Sequence, residues 1–336
     1  MAENIDVYRY DETDFSRWDR FVMQDSVNGT FLQTRKFLNY HAEGRFKDNS
    51  LIFAKGTNIV AVIPAHIIEC DGQKQFVSHR GSTYGGIVLG KQFTKLANIE
   101  AVFEAFHQYV LEQGIDTVQL KMTGDIYAGE AGNALEYYFF LHGYTMSCEM
   151  GYYVDFDKYH EDTVSNFTAS RRRHYNSSLQ NNLIFKQIVS DNEIHDFYQV
   201  LCDNQKKFDK TPVHSFDELL DLKHNRLHDL VQFYGVYSGD EIIAGSMVFC
   251  FGQQVFHTQY LACRQDKTET HANEFLYKNL IDEAKQNGFA KLSFGTSTLD
   301  GGKVLNKTLA QFKEGFGTLP YVNRTYKKSF TDVVVQ

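Results

Sequence analysis

Between Val231 and Gly317 the chain sets out three strand-like runs in succession, VQFYGVY, EIIAGSMVFCF and VFHTQYLAC. A loop, a helix closed by glycine, a short strand FAKLSF and a second glycine-closed helix follow. Few architectures accept that order. Ser238-Gly239-Asp240 and Gly252-Gln253-Gln254 separate runs rich in aromatic and β-branched residues, the pattern of antiparallel hairpins. Leu276, Tyr277, Leu280, Ile281 and Ala284 recur at spacings of three and four, which stripes one face of a helix for packing on a sheet. Gly288 ends that helix, because glycine enters the left-handed C′ conformation without steric cost. A strand, crossover helix and strand lie parallel and right-handed. The strand from Phe289 is therefore predicted beside the strand from Val255, at the end of an antiparallel meander.

An earlier stretch repeats the plan. SLIFA, a turn at Lys55-Gly56-Thr57-Asn58, IVAVIPAHIIEC, a turn at Asp71-Gly72 and QFVSH read as three strands. The loop Arg80 to Gly86, a helix from about Thr94 to Gln113 closed by Gly114, the strand IDTVQLKM, a helix around Asn133 to Leu141 and Gly143 complete that half. Matching order predicts a duplicated α/β domain, with boundaries at 1–150 and 151–336, and the length of the unit excludes a short-repeat solenoid. Before the first unit, Phe15 to Tyr40 predicts two helices about a turn at Asn28-Gly29, with Trp18, Phe21 and Val22 on the apolar face. Between the units, MGYYVDF and NLIFKQIV read as strands. The basic stretch around Arg171, NEIHDFYQVLCDNQKKF and SFDELLDLKHNRLHDL read as helices.

A chain of 336 residues, 43% hydrophobic and 15% aromatic, has material for two cores. Its net charge of −8 provides no cationic field for nucleic acid or an anionic membrane. The five cysteines are scattered without CxxC spacing, which suits reduced thiols and leaves no metal to be expected. The acidic N-terminus lacks an apolar h-region and no run reaches the ~20 apolar residues of a spanning helix. The expectation is a soluble cytoplasmic protein.

Several short motifs share one further feature, their order. Tyr237 to Ala244, His257-Thr-Gln-Tyr260, Ser293-Phe-Gly-Thr-Ser297 and Phe312-Lys-Glu-Gly-Phe-Gly317 resemble the FemAB-like, CelD/BioF-type branch of the GNAT acyltransferases. Arg171-Arg172-Arg173 with Tyr175-Asn176 is similar to the basic helix before that family's second unit, and Tyr84-Gly85-Gly86 to the tyrosine-glycine loop of its first. The resemblance implies two tandem GNAT-like domains of mixed, mostly antiparallel sheet. It also implies transfer of an acyl group from acyl-CoA, acetyl-CoA for example, to an amine, such as an amino sugar or peptide amine of the cell envelope. Two features depart from the pattern. The loop Arg264 to Ala272 has no glycine with which to cradle a diphosphate, and Ser293 stands where an aspartate is expected.

Transfer of this kind has to hold the donor carbonyl near a neutral amine, remove a proton and offset charge on the carbonyl oxygen. His257 and Tyr260 are candidates for the proton, His257 because histidine titrates near neutrality. Three residues apart on a strand, they are expected on opposite faces. The resemblance places Lys313 facing the ligand cleft. For the donor, Arg171 and Arg173 offer guanidinium forks that match phosphate oxygens, and Gly295, Ser297 and Asn273 stand near the same cleft. Tyr84 and Glu269 are the candidates for substrate. Each has a plain structural alternative: a hydrogen-bonded histidine, an amphipathic sheet tyrosine, a lysine at its own helix C-terminus, a solvated basic patch, a helix cap. Two other functions stay open, an aminoacyl-tRNA-dependent peptidyltransferase and a GNAT-like module that binds without catalysis.

Overall fold

The computed structural model describes residues 5–41, 44–78, 80–128, 132–206 and 209–331. His79, Lys207 and Phe208, predicted at the ends of a strand and a helix, lie outside them. The chain forms two compact units, one of Met1–Glu149 with Val322–Gln336 and one of Met150–Tyr321. Residues from Val322 onward, expected to close the second domain, count with the first unit.

The first unit holds β1 (Asp6–Arg9), α1 (Phe15–Arg20), α2 (Arg35–Leu38), β2 (Lys47–Asp48), β3 (Leu51–Lys55), β4 (Asn58–Ile63), β5 (Ala65–Cys70), β6 (Gln73–Ser78), β7 (Val88–Leu89), α3 (Leu96–Glu112), β8 (Thr117–Lys121), α4 (Asp125–Ala128) and α5 (Gly132–Leu141). The run read as one strand, IVAVIPAHIIEC, is two. Pro64 has no N–H for a ladder, and strands seldom continue through such a residue. The halves join different sheets: β4 pairs with β3 and β7, whereas β5 pairs with β2 and β6. The predicted three-strand meander is thereby divided. α1 is shorter than expected, passing into a π-helical turn at Phe21–Asp25. Its apolar face holds, since Trp18, Phe21 and Val22 are buried against Ile52, Val62 and Val88. β6 and β8 run parallel, and α3 buries Ile99, Val102, Phe103 and Phe106 in the core they share.

The second unit follows its sequence closely. From β9 (Thr145–Asp155), which begins in the first unit, it continues through α6 (Ala169–Ser178), β10 (Ile184–Ile188), α7 (Asp191–Lys206), α8 (Phe216–Asp221), β11 (Val231–Ser238), β12 (Glu241–Phe251), β13 (Val255–Cys263), α9 (Ala272–Gln286), β14 (Lys291–Thr296), β15 (Thr298–Leu299), β16 (Val304–Leu305) and α10 (Lys307–Glu314) to the start of β17 (Leu319–Ser329), most of which counts with the first unit. Its sheet has the order β10-β11-β12-β13-β14-β9. The meander from β11 to β13 is antiparallel, and the β13–β14 pair is parallel as predicted. α9 buries Leu276, Tyr277, Leu280, Ile281 and Ala284 against Val248, Cys250, Phe256 and Leu292. At roughly 1.5–3 kcal/mol for each fully buried large side chain, this stripe anchors the crossover helix. The helix ends where Gly288 adopts φ +75°.

Candidate active site

β13 and β14 pair at three positions only: Val255 with Lys291, Phe256 with Leu292, and His257 with Ser293. The next pair in register would be Thr258 with Phe294, and the ladder stops before it. Gly295 donates its N–H to Ser293 Oγ at 3.2 Å, and the Thr258 hydroxyl takes the Ser293 carbonyl at 3.0 Å. Each strand carries an irregularity at this point. β13 has a bulge at Gln259, between the pairs Val248/Thr258 and Met247/Tyr260. β14 shifts register between Ser293 and Thr296, where Gly295 sits at φ +69°, a conformation that costs a residue with a Cβ. Bulges bend and twist a strand. β13 therefore runs on to Cys263 with its far edge parted from β14.

Arg264 donates to the Ile243 carbonyl at 2.8 Å, so antiparallel alternation turns the peptide groups of Leu261 and Cys263 away from β12. Asn204, near the end of α7, meets the Cys263 carbonyl through Nδ2 at 3.0 Å.

The bulge also corrects the expectation that His257 and Tyr260 face opposite ways. His257 pairs with Phe249 and Tyr260 with Met247. Cross-strand partners share a face, and residues two apart on β12 do as well. Both side chains therefore lie on one face of β13. The Tyr260 hydroxyl is 2.6 Å from Nδ1 of the buried His214, and burial pushes the phenol up to about 12. It remains protonated at neutral pH. Burial, with the Lys313 charge second, pushes His257 down to about 4, while a hydrogen bond with Gln259 acts the other way.

Lys313 is 4% exposed on α10. Its Nζ donates to the Gly295 carbonyl at 3.0 Å and the Thr296 carbonyl at 2.6 Å, and no carboxylate pairs with it among the described residues. Desolvation disfavours its charged form and pushes it down to about 7. A helix-end cation in solvent would show no such burial. The ring of His257 adjoins this corner, since a Cβ on Gly295 would stand 3.7 Å from its Cε1. His257, Gly295 and Lys313 thus come together at the head of the gap.

Ser297 is nearby in the chain and 1% exposed, and among the described residues its Oγ has no hydrogen-bond partner. Asn273 Oδ1, at the start of α9, is likewise buried and unpartnered among them. Such atoms cost roughly 1–3 kcal/mol each unless a ligand or water meets them. Ser293, expected as aspartate, is fully buried between Gly295 N and the Tyr321 hydroxyl, 3.2 Å from each.

The expected donor arginines separate. Arg173 is exposed. Arg171 turns inward, pairs with Glu274 and lies 4.3 Å from the centre of the Phe312 ring. Glu274 stands in the first turn of α9, buried, with its carboxylate where the helix N-terminus favours negative charge. The protein's own anion thus takes the place in which a donor diphosphate was expected. Glu269 is exposed in the 3₁₀ turn before α9. His174 and His271 flank Glu274, with ligand atoms of the three within 4.8 Å of one another. The two rings are stacked at 4.6 Å and 7°.

Sequence reasoning missed His214, Asn204, Glu274 and the bulge at Gln259. Ser215 and Glu218 form a capping box that fixes the start of α8, but nothing local connects the preceding histidine to Tyr260. An acid in the first turn of α9 was visible; its partner 103 residues away was not.

The first unit contains the equivalent parallel pair, with Gln75–Val77 of β6 beside Thr117–Gln119 of β8. There the following loop returns to the end of β8. Gly85 donates to the Lys121 carbonyl at 3.0 Å and accepts from Gln33 Nε2 at 2.6 Å. Gly86, at φ +67°, would place a Cβ 3.0 Å from Met122 Cα. Tyr84, a substrate candidate from the sequence, is 2% exposed beside Thr30 and Tyr127 within this packing.

Residues 166–307 match the acetyltransferase (GNAT) domain family. No curated protein matches the chain by sequence. Among solved structures, FemX aligns at 11% identity over 96% of this chain and 96% of its own, with TM-score 0.65. The C-terminal domain (DUF2156) of a putative lysylphosphatidylglycerol synthetase from Agrobacterium fabrum aligns at 12% over 95% and 93%, with TM-score 0.61. A tandem GNAT protein from the clavulanic acid biosynthesis pathway aligns at 8% over 97% and 98%, with TM-score 0.54. At such identities the likeness is one of fold: mixed α/β, with tandem GNAT-like units along nearly the whole chain.

Proposed function

We propose that the second unit transfers an acyl group from an activated thioester or ester to a primary amine, in the gap between β13 and β14. The observation that carries this reading is the parting of these strands past His257 and Ser293, with Lys313 buried at their junction. An extended donor arm carrying amides can pair with the edge at Leu261 as an added strand does, which brings its carbonyl toward Gly295. The amine nitrogen attacks the carbonyl carbon. As the new C–N bond forms, the amine proton passes to neutral Lys313, whose pKa near the operating pH suits a general base. When the tetrahedral intermediate collapses, the bond from carbonyl carbon to donor sulfur or oxygen breaks, and the proton is returned to the leaving group. His257, neutral above about pH 4, lines this corner as a polar group without charge. The Tyr260 phenol, held by His214, is the second proton donor on the same face.

Acyl-CoA is the first donor reading, and an amino sugar or peptide amine of the cell envelope the acceptor. An aminoacyl ester of tRNA has an observation in its favour: Glu274 already occupies the α9 N-terminus and engages Arg171, so a donor anchored there by a diphosphate meets a carboxylate. Among the described residues no helix is long and apolar enough to cross a membrane, and we place the reaction in the cytoplasm.

Acetyl-CoA and aminoacyl-tRNA, each assayed against a panel of amino sugars and lysine-containing peptides, test the proposal. Acylated amine from either donor, with at least a 100-fold loss in K313A, is expected. Donor binding without turnover over the whole panel, or wild-type rates in K313A, would overturn it and leave a binding module.

A further inference from the structure

Packing of α6 against α9 brings together three side chains that lie far apart in the sequence or on different elements: His174 on α6, His271 just before α9, and Glu274 in the first turn of α9. Nδ1 of His174 stands 3.5 Å from Glu274 Oε1, and Nδ1 of His271 stands 4.0 Å from Oε2. One ligand atom from each of the three lies within 4.8 Å of the others. Nδ1 of His174 is shielded from solvent and makes no hydrogen bond among the described residues. A shielded polar atom without a hydrogen bond calls for a partner that the chain does not itself supply.

The frame around these groups is fixed. His174 sits within the helix Ala169–Ser178. His271 takes the N-cap position of α9 at φ +56° and ψ 34°, a left-handed conformation uncommon for a residue with a Cβ. Glu274 is 6% exposed, and Arg171 hydrogen-bonds to its Oε1, so Oε2 is the oxygen left toward His271. Carboxylates that bind metals are commonly steadied by an outer hydrogen bond of this kind. Arg171 is in turn seated on the Phe312 ring, 4.3 Å from its centre.

We propose that His174, His271 and Glu274 bind one divalent transition ion, Zn²⁺ by preference, through an imidazole nitrogen of each histidine and Glu274 Oε2. Imidazole and carboxylate suit Zn²⁺, and three protein ligands with water in the fourth position are a common arrangement. Both rings turn to make it. They are stacked 4.6 Å apart and 7° from parallel, whereas tetrahedral bonds of ~2.1 Å set ligand atoms about 3.4 Å from one another. The last torsion of histidine is broad, and these side chains are 38% and 28% exposed, which leaves each ring room to leave the stack. The ion then clamps α6 to the start of α9. The charge of Arg171 close by opposes it, so the affinity expected is micromolar, weaker than that of a structural zinc finger. None of the three groups takes part in the transfer proposed above.

Titration of the chelator-treated full chain with Zn²⁺, and with Co²⁺ as a spectroscopic probe, tests the site. One ion per chain is expected, with Co²⁺ giving the intense visible bands of a four- or five-coordinate centre. H174Q and H271Q should each weaken Zn²⁺ binding at least tenfold, while H224Q, at a half-exposed histidine paired with Asp191, should leave it unchanged. Glutamine keeps the size and polarity of these positions, and circular dichroism checks that the variants fold. Zn²⁺ should raise the Tm of the wild type, because a ligand of the native state stabilises it by mass action, and should not raise that of H174Q or H271Q. Absence of stoichiometric Zn²⁺, or wild-type affinity in either H174Q or H271Q, would overturn the proposal.

Discussion

Lys313 Nζ lies 2.6 Å from the carbonyl oxygen of Thr296, buried and, among the described residues, with no carboxylate to balance it. A lysine in this setting is useful for its proton. Two of its hydrogens go to carbonyls, and in the neutral form a lone pair remains. With a pKa brought to about 7, kcat/KM for acyl transfer should rise through pH 7 and level off above it. K313A should fall by roughly 100-fold or more, within the range of general-base catalysis. K313R separates the possible roles, because arginine keeps its charge and cannot accept the proton. A rate for K313R near that of K313A supports the base; recovery to within a few fold of wild type assigns Lys313 an electrostatic role instead.

The same lysine gives stability a pH dependence. Its pKa is about 7 in the folded chain against 10.5 unperturbed, so between those values the unfolded chain binds more protons and folding strengthens as pH rises. The slope is at most ~1.4 kcal/mol per pH unit. His257 acts at the acid end: its folded value of about 4 lies below 6.5, so its contribution is lost as pH falls through that interval. Urea unfolding at pH 4.5, 6.5, 8 and 9.5 should show both limbs. K313M is expected to flatten the alkaline limb, and H257Q to reduce the acid one.

Tyr260 and His214 should behave as one unit. Y260F removes the hydroxyl and H214A removes the nitrogen 2.6 Å from it. Each is expected to lower kcat about 10- to 100-fold with little change in KM. The double variant should be no worse than the poorer single, since the two side chains act through one hydrogen bond. Additive losses in the double-mutant cycle would show that His214 does something other than hold the phenol.

Donor should bind once per chain. In the first unit Gly85, held by Gln33, packs its backbone against Lys121 at the end of β8, the strand that corresponds to β14. Native mass spectrometry with a non-hydrolysable donor analogue should give one ligand per chain, and a second equivalent would mean that the Tyr84–Gly86 segment yields to ligand. G295A, which puts a side chain at φ +69° and closes on His257, should cost about 1–3 kcal/mol of stability and weaken that single site.

Much of the second unit was legible in its residues. Glycine-containing turns between β-branched runs set the hairpins, and the stripe from Leu276 to Ala284 with Gly288 set the crossover helix and the parallel strand after it. These are local signals, with partners a few residues apart. Lys313 was singled out from its motif and is buried, and Ser297 Oγ and Asn273 Oδ1 are buried as well; their roles remain proposals. Pro64, though visible, was read through, and the strand it interrupts divides between two sheets.

Local pattern by itself settled the hairpins and the crossover helix of the second unit, and that two similar units follow one another. Tertiary structure alone decided the chemistry of the cleft. One inserted residue at Gln259 brings His257 and Tyr260 to a common face, a partner 103 residues away turns Arg171 from ligand to Glu274, and burial moves Lys313 toward neutrality. Register, ion pairing and desolvation depend on which distant segments meet, and a periodicity read along one chain carries no record of that.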